Sequence, residues 1–162
     1  RWGNPAAYGQ GDENDQTFFG QHDAQFVDDD EGLYSSVYNN GIGRPDGSYS
    51  TVHHIAVPLD ANGGYPEVSK SAFEPNAAAW IYPTTPNLSF YSPNISGYSL
   101  LHDGHHLICQ GADGRFFELD GTGDFVWEYI NPITNTGILA QGSNPVQNGV
   151  FRATAIPATI RA

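Results

Sequence analysis

Residues 97 to 130 read as four short runs separated by turns: Gly97-Tyr98-Ser99-Leu100-Leu101, His106-Leu107-Ile108-Cys109-Gln110, Arg115-Phe116-Phe117-Glu118-Leu119 and Phe125-Val126-Trp127-Glu128-Tyr129-Ile130. Each is rich in aromatic and branched residues and too short to repeat at helical spacing, so each reads as a strand. The breaks contain Asp103-Gly104 and Asp113-Gly114, and Asp-Gly supplies the positive φ angles of a tight hairpin turn. Strands joined by connections this short pair antiparallel, because a parallel pair needs a crossover of a dozen or more residues.

The same order recurs upstream, in candidate strands at 23–27, 34–39, 49–57 and 78–82. The first group ends in Trp80-Ile81-Tyr82-Pro83, the counterpart of Trp127-Glu128-Tyr129-Ile130-Asn131-Pro132, and Arg1-Trp2-Gly3-Asn4-Pro5 reads as a third such strand end. Tyr82 and Tyr129 are about 47 residues apart, the length of a four-stranded propeller blade, while the longer interval from Trp2 to Tyr82 fits a blade with an insertion of roughly 30 residues. That insertion falls mainly in residues 58–75, which contain Pro and Gly. The expected fold is therefore all-β, part of a β-propeller. Two full four-stranded blades lie at about 22–83 and 96–132, with flanking strands that include a closing strand at about 150–156. Two blades cannot close a ring, so the remaining blades are expected from a missing part of the chain or from another chain. Residue 1 is Arg and no Met occurs, which fits a processed or cut portion, here the C-terminal part of a single propeller domain.

Six Lys and Arg stand against 18 Asp and Glu, a formal net charge of −12. Nucleic acids and anionic membranes are held largely by basic side chains, so no nucleic-acid partner is expected. No apolar run is long enough to span a bilayer. Lys70 is the only lysine, and Gly, Asn, Pro and Tyr are abundant, which leans towards a turn-rich extracytoplasmic protein. Cys109 is the only cysteine and reads as a small buried residue.

Several segments resemble one family. They are Gln21-His22-Asp23-Ala24-Gln25, Asn39-Asn40-Gly41-Ile42-Gly43-Arg44, Tyr49-Ser50-Thr51-Val52, Ser96-Gly97, Leu107-Ile108-Cys109-Gln110-Gly111, Gly114-Arg115-Phe116-Phe117-Glu118, the Trp127 strand end and Val150-Phe151-Arg152-Ala153. Together they look like the closing blades of the aryl sulfotransferases that use no nucleotide sulfate donor. The resemblance implies a six-bladed propeller exported to the periplasm or beyond, needing no cofactor. It also implies a catalytic histidine in the central channel, which accepts a sulfuryl group from a phenolic sulfate ester and passes it to a phenol. His22 is the matching position. The family's further histidines and arginine belong to earlier blades, which this chain lacks.

Antiparallel strands alternate direction, so His22 at the start of strand one and the 39–44 connection after strand two share one end of the blade. A neutral imidazole can attack sulfur, and a guanidinium can hold the sulfuryl oxygens through forked hydrogen bonds. The catalytic candidates are accordingly His22 and Arg44, with Asn40 and Tyr49 as substrate-binding candidates. Superposing the two repeats sets Ser96 opposite His22 and Gly97 opposite Asp23; a histidine needed only to shape the blade would recur, and this one does not. The alternatives are a histidine bonded to backbone at a strand start and an arginine paired with an acid. A non-enzymatic extracellular propeller used for binding or assembly is the rival function.

His102, His105 and His106 flank the Asp103-Gly104 turn, where a two-residue hairpin would set His102 opposite His105. Two imidazoles are too few for a structural zinc site, and no metal is expected. His53 and His54 are adjacent on a strand, so one is expected to pack and the other to face solvent. Asp28, Asp29, Asp30 and Glu31 read as a solvated acidic turn, Phe90 and Tyr91 as core before phenol pocket, and Asn87 and Asn94 open Asn-x-Ser triplets.

Overall fold

The computed structural model describes residues 1–29, 31–66 and 70–156. Its main strands are β1 (Gln21–Asp29), β2 (Gly32–Asn39), β3 (Thr51–Ala56) and β4 (Trp80–Tyr82), then β5 (Gly97–Leu100), β6 (His106–Gln110), β7 (Arg115–Leu119) and β8 (Phe125–Ile130). They form two four-stranded antiparallel sheets in the orders β1-β2-β3-β4 and β5-β6-β7-β8. Every pair of neighbours in the sheets is consecutive in sequence, so each sheet is a meander, one over each of the two repeats. A two-stranded ribbon of β9 (Ile133–Thr134) and β10 (Gly137–Ile138) follows. The chain is all-β; among the described residues the only helical pieces are three 3-10 turns of three or four residues.

Strand alternation explains how the sheets pack. In the first, Tyr38 pairs with Val52 and Val52 with Tyr82, giving one cross-strand row on one face. In the second, Tyr98, Ile108 and Phe117 form the matching row. The two rows, with Phe90 and Leu119, make one buried cluster against which Trp80 packs. Phe90, from the connection between the sheets, meets Tyr38, Tyr82 and Phe117 edge-on at centroid distances of 5.8, 5.4 and 5.8 Å. Each such pair adds roughly 0.5–1.5 kcal/mol beyond the area it buries. Phe90 is thus core and fixes one sheet on the other.

The far face of the first sheet carries Val37 and Ile55, covered by Phe18 and Trp2. Here the structure corrects the expectation for the first residues. Arg1 to Pro5 are not the end of a strand: Gly3 has φ +94° and Pro5 opens a 3-10 turn, Pro5–Tyr8. Proline suits a first helical position, where its missing N–H leaves no bond unmade. Trp2 still covers the sheet, edge-on to Phe18 at 5.1 Å with its indole Nε1 donating to the Pro75 carbonyl at 2.5 Å.

Three further expectations change. Both His53 and His54 are buried, because both faces of the sheet are covered: His53 meets Phe18 edge-on and His54 stacks on Tyr34 at 4.2 Å. The β5–β6 connection is longer than a two-residue turn, since the Leu101 N–H donates to the His105 carbonyl, so His105 faces Leu101 and not His102. Residues 150–156 form no strand. They lie along the second sheet through isolated bonds, from Val150 N–H to the Gly111 carbonyl (2.9 Å) and from Ser96 N–H to the Phe151 carbonyl (3.0 Å), without the repeating ladder that defines a strand. In the acidic turn, Asp28 and Asp29 belong to β1, and Asp30 lies outside the described residues.

Candidate functional site

β1 begins with an irregularity. His22 pairs with Tyr38, yet Gln25 pairs with Ser36, so two residues, Asp23 and Ala24, stand against Val37 alone. Such a bulge re-aims side chains. Asp23 takes φ +50°, a left-handed conformation that costs an L-residue about 1–2 kcal/mol and that Asp accepts more readily than most. The Asp23 carboxylate turns onto Gly97 of β5, where a Cβ would collide with Asp23 Oδ2. Glycine at 97 is what gives the carboxylate its room.

The stretch after Val150 closes over this bulge. Arg152 Nη1 donates to Asp23 Oδ1 at 2.8 Å; the Asp23 side chain is 6% exposed and that of Arg152 51%. The Phe151 ring stands edge-on to the His22 imidazole at 5.2 Å and is itself largely exposed. Among the described residues, neither the buried His22 Nε2 nor the buried Asp23 Oδ2 has a hydrogen-bond partner. The counterpart in the second repeat behaves oppositely: Ser96 Oγ donates to Ser92 Oγ at 2.8 Å and accepts from Gly111 N–H at 2.9 Å. Ser96 is spent on holding loops together, whereas the His22 Nε2 is not.

The other site candidates fall into two groups. Arg44, Asp46 and Tyr49 form one: Arg44 Nε donates to Asp46 Oδ1 at 3.1 Å, the Tyr49 hydroxyl donates to Asp46 Oδ2 at 2.6 Å, and the guanidinium lies 3.9 Å from the Tyr49 ring centroid. Hydrogen bonds from Arg44 and Tyr49 hold the Asp46 carboxyl below the usual carboxylate range, while burial raises Tyr49. Asn40 belongs elsewhere. Its Nδ2 donates to the carbonyls of Ser92 (2.7 Å) and Ile95 (3.0 Å), binding the β2–β3 connection to the residues that lead into β5. That connection also folds back on the residues just before β1, with Gly41 N–H donating to the Phe19 carbonyl at 2.8 Å. His22 and Arg44 therefore share one end of the sheet, but among the described residues no hydrogen bond, ion pair or ring contact joins them. Asp23, Phe151 and Arg152 were missed as site residues; the pairing of Asp23 with Gly97 in the internal repeat was the signal that could have found the first.

Near the opposite end of the second sheet, Asp103, His105 and Glu118 bring donor atoms within 4.8 Å of one another. Within the group His105 Nδ1 bonds Glu118 Oε1 at 2.6 Å and the His105 backbone N–H donates to Asp103 Oδ1 at 3.2 Å, Trp127 Nε1 donates to Glu118 Oε2 at 2.5 Å, and the bond to Glu118 raises the His105 pKa. His106 points to the core, stacked on Trp80. Burial pushes the Cys109 thiol up to about 12, which disfavours the reactive thiolate.

A pocket of about 420 Å³ opens on the far face of the first sheet, lined by Trp2, Phe18, Phe26, Val37, Ile55 and Tyr65 among others. On the far face of the second, Trp127 and Tyr129 are 42% and 49% exposed, with Phe116 stacked on Tyr129. No helix among the described residues is long and apolar enough to cross a membrane. No family model, curated protein or solved structure matches the chain.

Proposed function

We propose that the chain is the C-terminal part of an exported β-propeller that transfers a sulfuryl group from a phenolic sulfate ester to a phenol, with His22 as the nucleophile. The observation that carries this reading is the His22 Nε2, next to the left-handed Asp23 of the bulge, with no hydrogen-bond partner among the described residues and an aromatic ring against it. Keeping a polar atom buried and unpaired costs about 1–3 kcal/mol, and such outlays concentrate at functional sites.

A neutral imidazole nitrogen attacks sulfur, forming the N–S bond as the S–O(aryl) bond breaks. The phenolate leaves with the electron pair and takes up the proton released by the imidazole. The acceptor phenol then attacks the same sulfur, its proton returns to the imidazole, and the N–S bond breaks. No oxidant, reductant or cofactor is consumed.

The propeller reading is supported by two consecutive four-stranded meanders packed face to face, with Phe26 of the first and Trp127 and Tyr129 of the second left exposed on their far faces. Further blades on those faces, from the rest of the chain or from another chain, would cover them. Export is supported by the near absence of lysine and the Gly, Asn, Pro and Tyr content. The rival reading, a non-enzymatic extracellular propeller used for binding or assembly, is favoured by the exposed aromatic strip of β8, which offers area without reactive groups.

The test is to incubate the protein with 4-nitrophenyl sulfate, digest under alkaline conditions and weigh the His22 peptide. An added SO3 on that peptide, lost again when a phenol is supplied, is the expected result. An unmodified peptide with no release of 4-nitrophenol would overturn the sulfuryl-transfer reading in favour of the rival.

A further inference from the structure

We infer that Phe151 and Arg152, from the strand-free stretch after Val150, form the aryl and anion subsite of the His22 centre, and that Arg152 rather than Arg44 receives the sulfate oxygens. This rests on the sulfuryl-transfer reading for the reaction, but the binding claim stands on its own geometry.

An aryl sulfate has two recognisable parts, a flat apolar ring and a singly charged SO3 group. A site for it beside His22 needs an aromatic surface and a cation with free donors. Phe151 supplies the first: its ring touches the His22 imidazole edge-on, and 57% of the residue is open to solvent. Arg152 supplies the second. Among the described residues, one of its five N–H donors, on Nη1, is used on Asp23; the side chain is half exposed, and the guanidinium carbon lies 5.8 Å from the Phe151 ring centroid. Aryl ring and anion are therefore served by adjacent residues of one segment, with the imidazole beside them.

Arg44 is differently placed. Its side chain is 14% exposed, its Nε is bonded to Asp46, its Nη2 donates to the Tyr49 hydroxyl, and its guanidinium lies over the Tyr49 ring. Recruiting it would require breaking the Asp46 pair. Arg115 is likewise held by Glu128 and Gln110. In a chain carrying −12, an anionic ligand needs a local cation, and among the described residues Arg152 is the one with donors to spare beside His22.

Asp23 positions this cation. Its left-handed backbone and its seat over Gly97 aim Oδ1 at Arg152 while Oδ2 keeps no partner. The carboxylate fixes the guanidinium by one edge and leaves the other edge for the sulfate fork.

The experiment titrates 4-nitrophenyl sulfate, and separately inorganic sulfate, into the full chain with the His22 imidazole 13C-labelled, reading both the dissociation constant and the His22 ring shift. Arg152→Gln should weaken the ester about 10-fold or more and reduce sulfate binding with it. Phe151→Leu should weaken the ester about 3-fold or more and leave inorganic sulfate unchanged. Arg152→Lys, which keeps the charge without the fork, should fall between, and equal melting temperatures guard against a folding defect. If Arg44→Gln abolishes binding while Arg152→Gln does not, or if the ester binds without moving the His22 resonance, or fails to bind, the assignment is overturned. Binding that depends on Arg152 without any SO3 on His22 would instead retain the subsite and remove the transfer reaction.

Discussion

The imidazole of His106 lies almost flat on the indole of Trp80, with centroids 3.6 Å apart and planes inclined by 8°, and thereby joins the last strand of one sheet to the second strand of the next. Its Nδ1 is bonded to the Tyr98 hydroxyl at 2.8 Å. Burial first, then the nearby His54 and His105 charges, push its pKa down to about 4, and burial together with the Arg44 charge pushes His53 down to about 4 as well. Both rings are neutral in the folded protein at pH values where the unfolded chain, with an ordinary histidine pKa near 6.5, is already protonated.

Stability should therefore fall as pH drops from about 6.5 towards 4, because over that window the unfolded state binds more protons. Each buried histidine contributes roughly 1.4 kcal/mol per pH unit, and above pH 7 their contribution is flat. His105 acts in the opposite sense, its raised pKa giving stability that is present at low pH and lost as pH rises through it. Chemical denaturation across pH 4 to 8 measures the sum. Replacing His106 by Phe should flatten the acid limb by about half, and an unchanged slope would show that His106 is not buried neutral.

Gly97→Ala should cost about 1–3 kcal/mol, since the new methyl displaces the Asp23 carboxylate. If that carboxylate is what suffers, the losses from Gly97→Ala and Arg152→Gln will not add, because both remove the Asp23–Arg152 pair. Strict additivity in a double-mutant cycle would refute the coupling.

Asn40→Ala should destabilise the fold by about 1–3 kcal/mol, removing the Asn40 donor from the Ile95 carbonyl and leaving the Ser92 carbonyl only the longer bond from Ser50 Oγ at 3.4 Å. Melting and ester titration on the same variant separate roles. A normal melt with weakened binding would make Asn40 a substrate ligand rather than a clamp.

The Cys109 thiol, buried on β6 and with its pKa pushed up to about 12, should resist iodoacetamide in the native protein at pH 8 and react at once in denaturant. Rapid native labelling would mean that β6 is open to solvent.

The meanders were legible because strand signals are local: aromatic runs, Asp-Gly turns and the repeated Trp-containing ends fixed both sheets to within a few residues. The site was legible only in part. His22 stood out mainly through the family resemblance, with its repeat counterpart Ser96 as a second pointer, but the residues around it are brought there by tertiary packing. Asp23 and Arg152 are 129 positions apart, and no periodicity links them. Burial of both His53 and His54 escaped for the same reason, since strand alternation says which face a residue takes but not what covers that face.

That 129-residue separation also orders events in time. Contacts between distant segments close late, after the local meanders have formed and reduced the chain's freedom. The imidazole of His22 is present from the first turn of the first sheet, but its aromatic and cationic partners arrive only when the segment after β10 docks. A half-folded chain would thus carry the His22 imidazole without Phe151 and Arg152 beside it, so that on the proposed function reactivity would emerge only together with the finished tertiary structure.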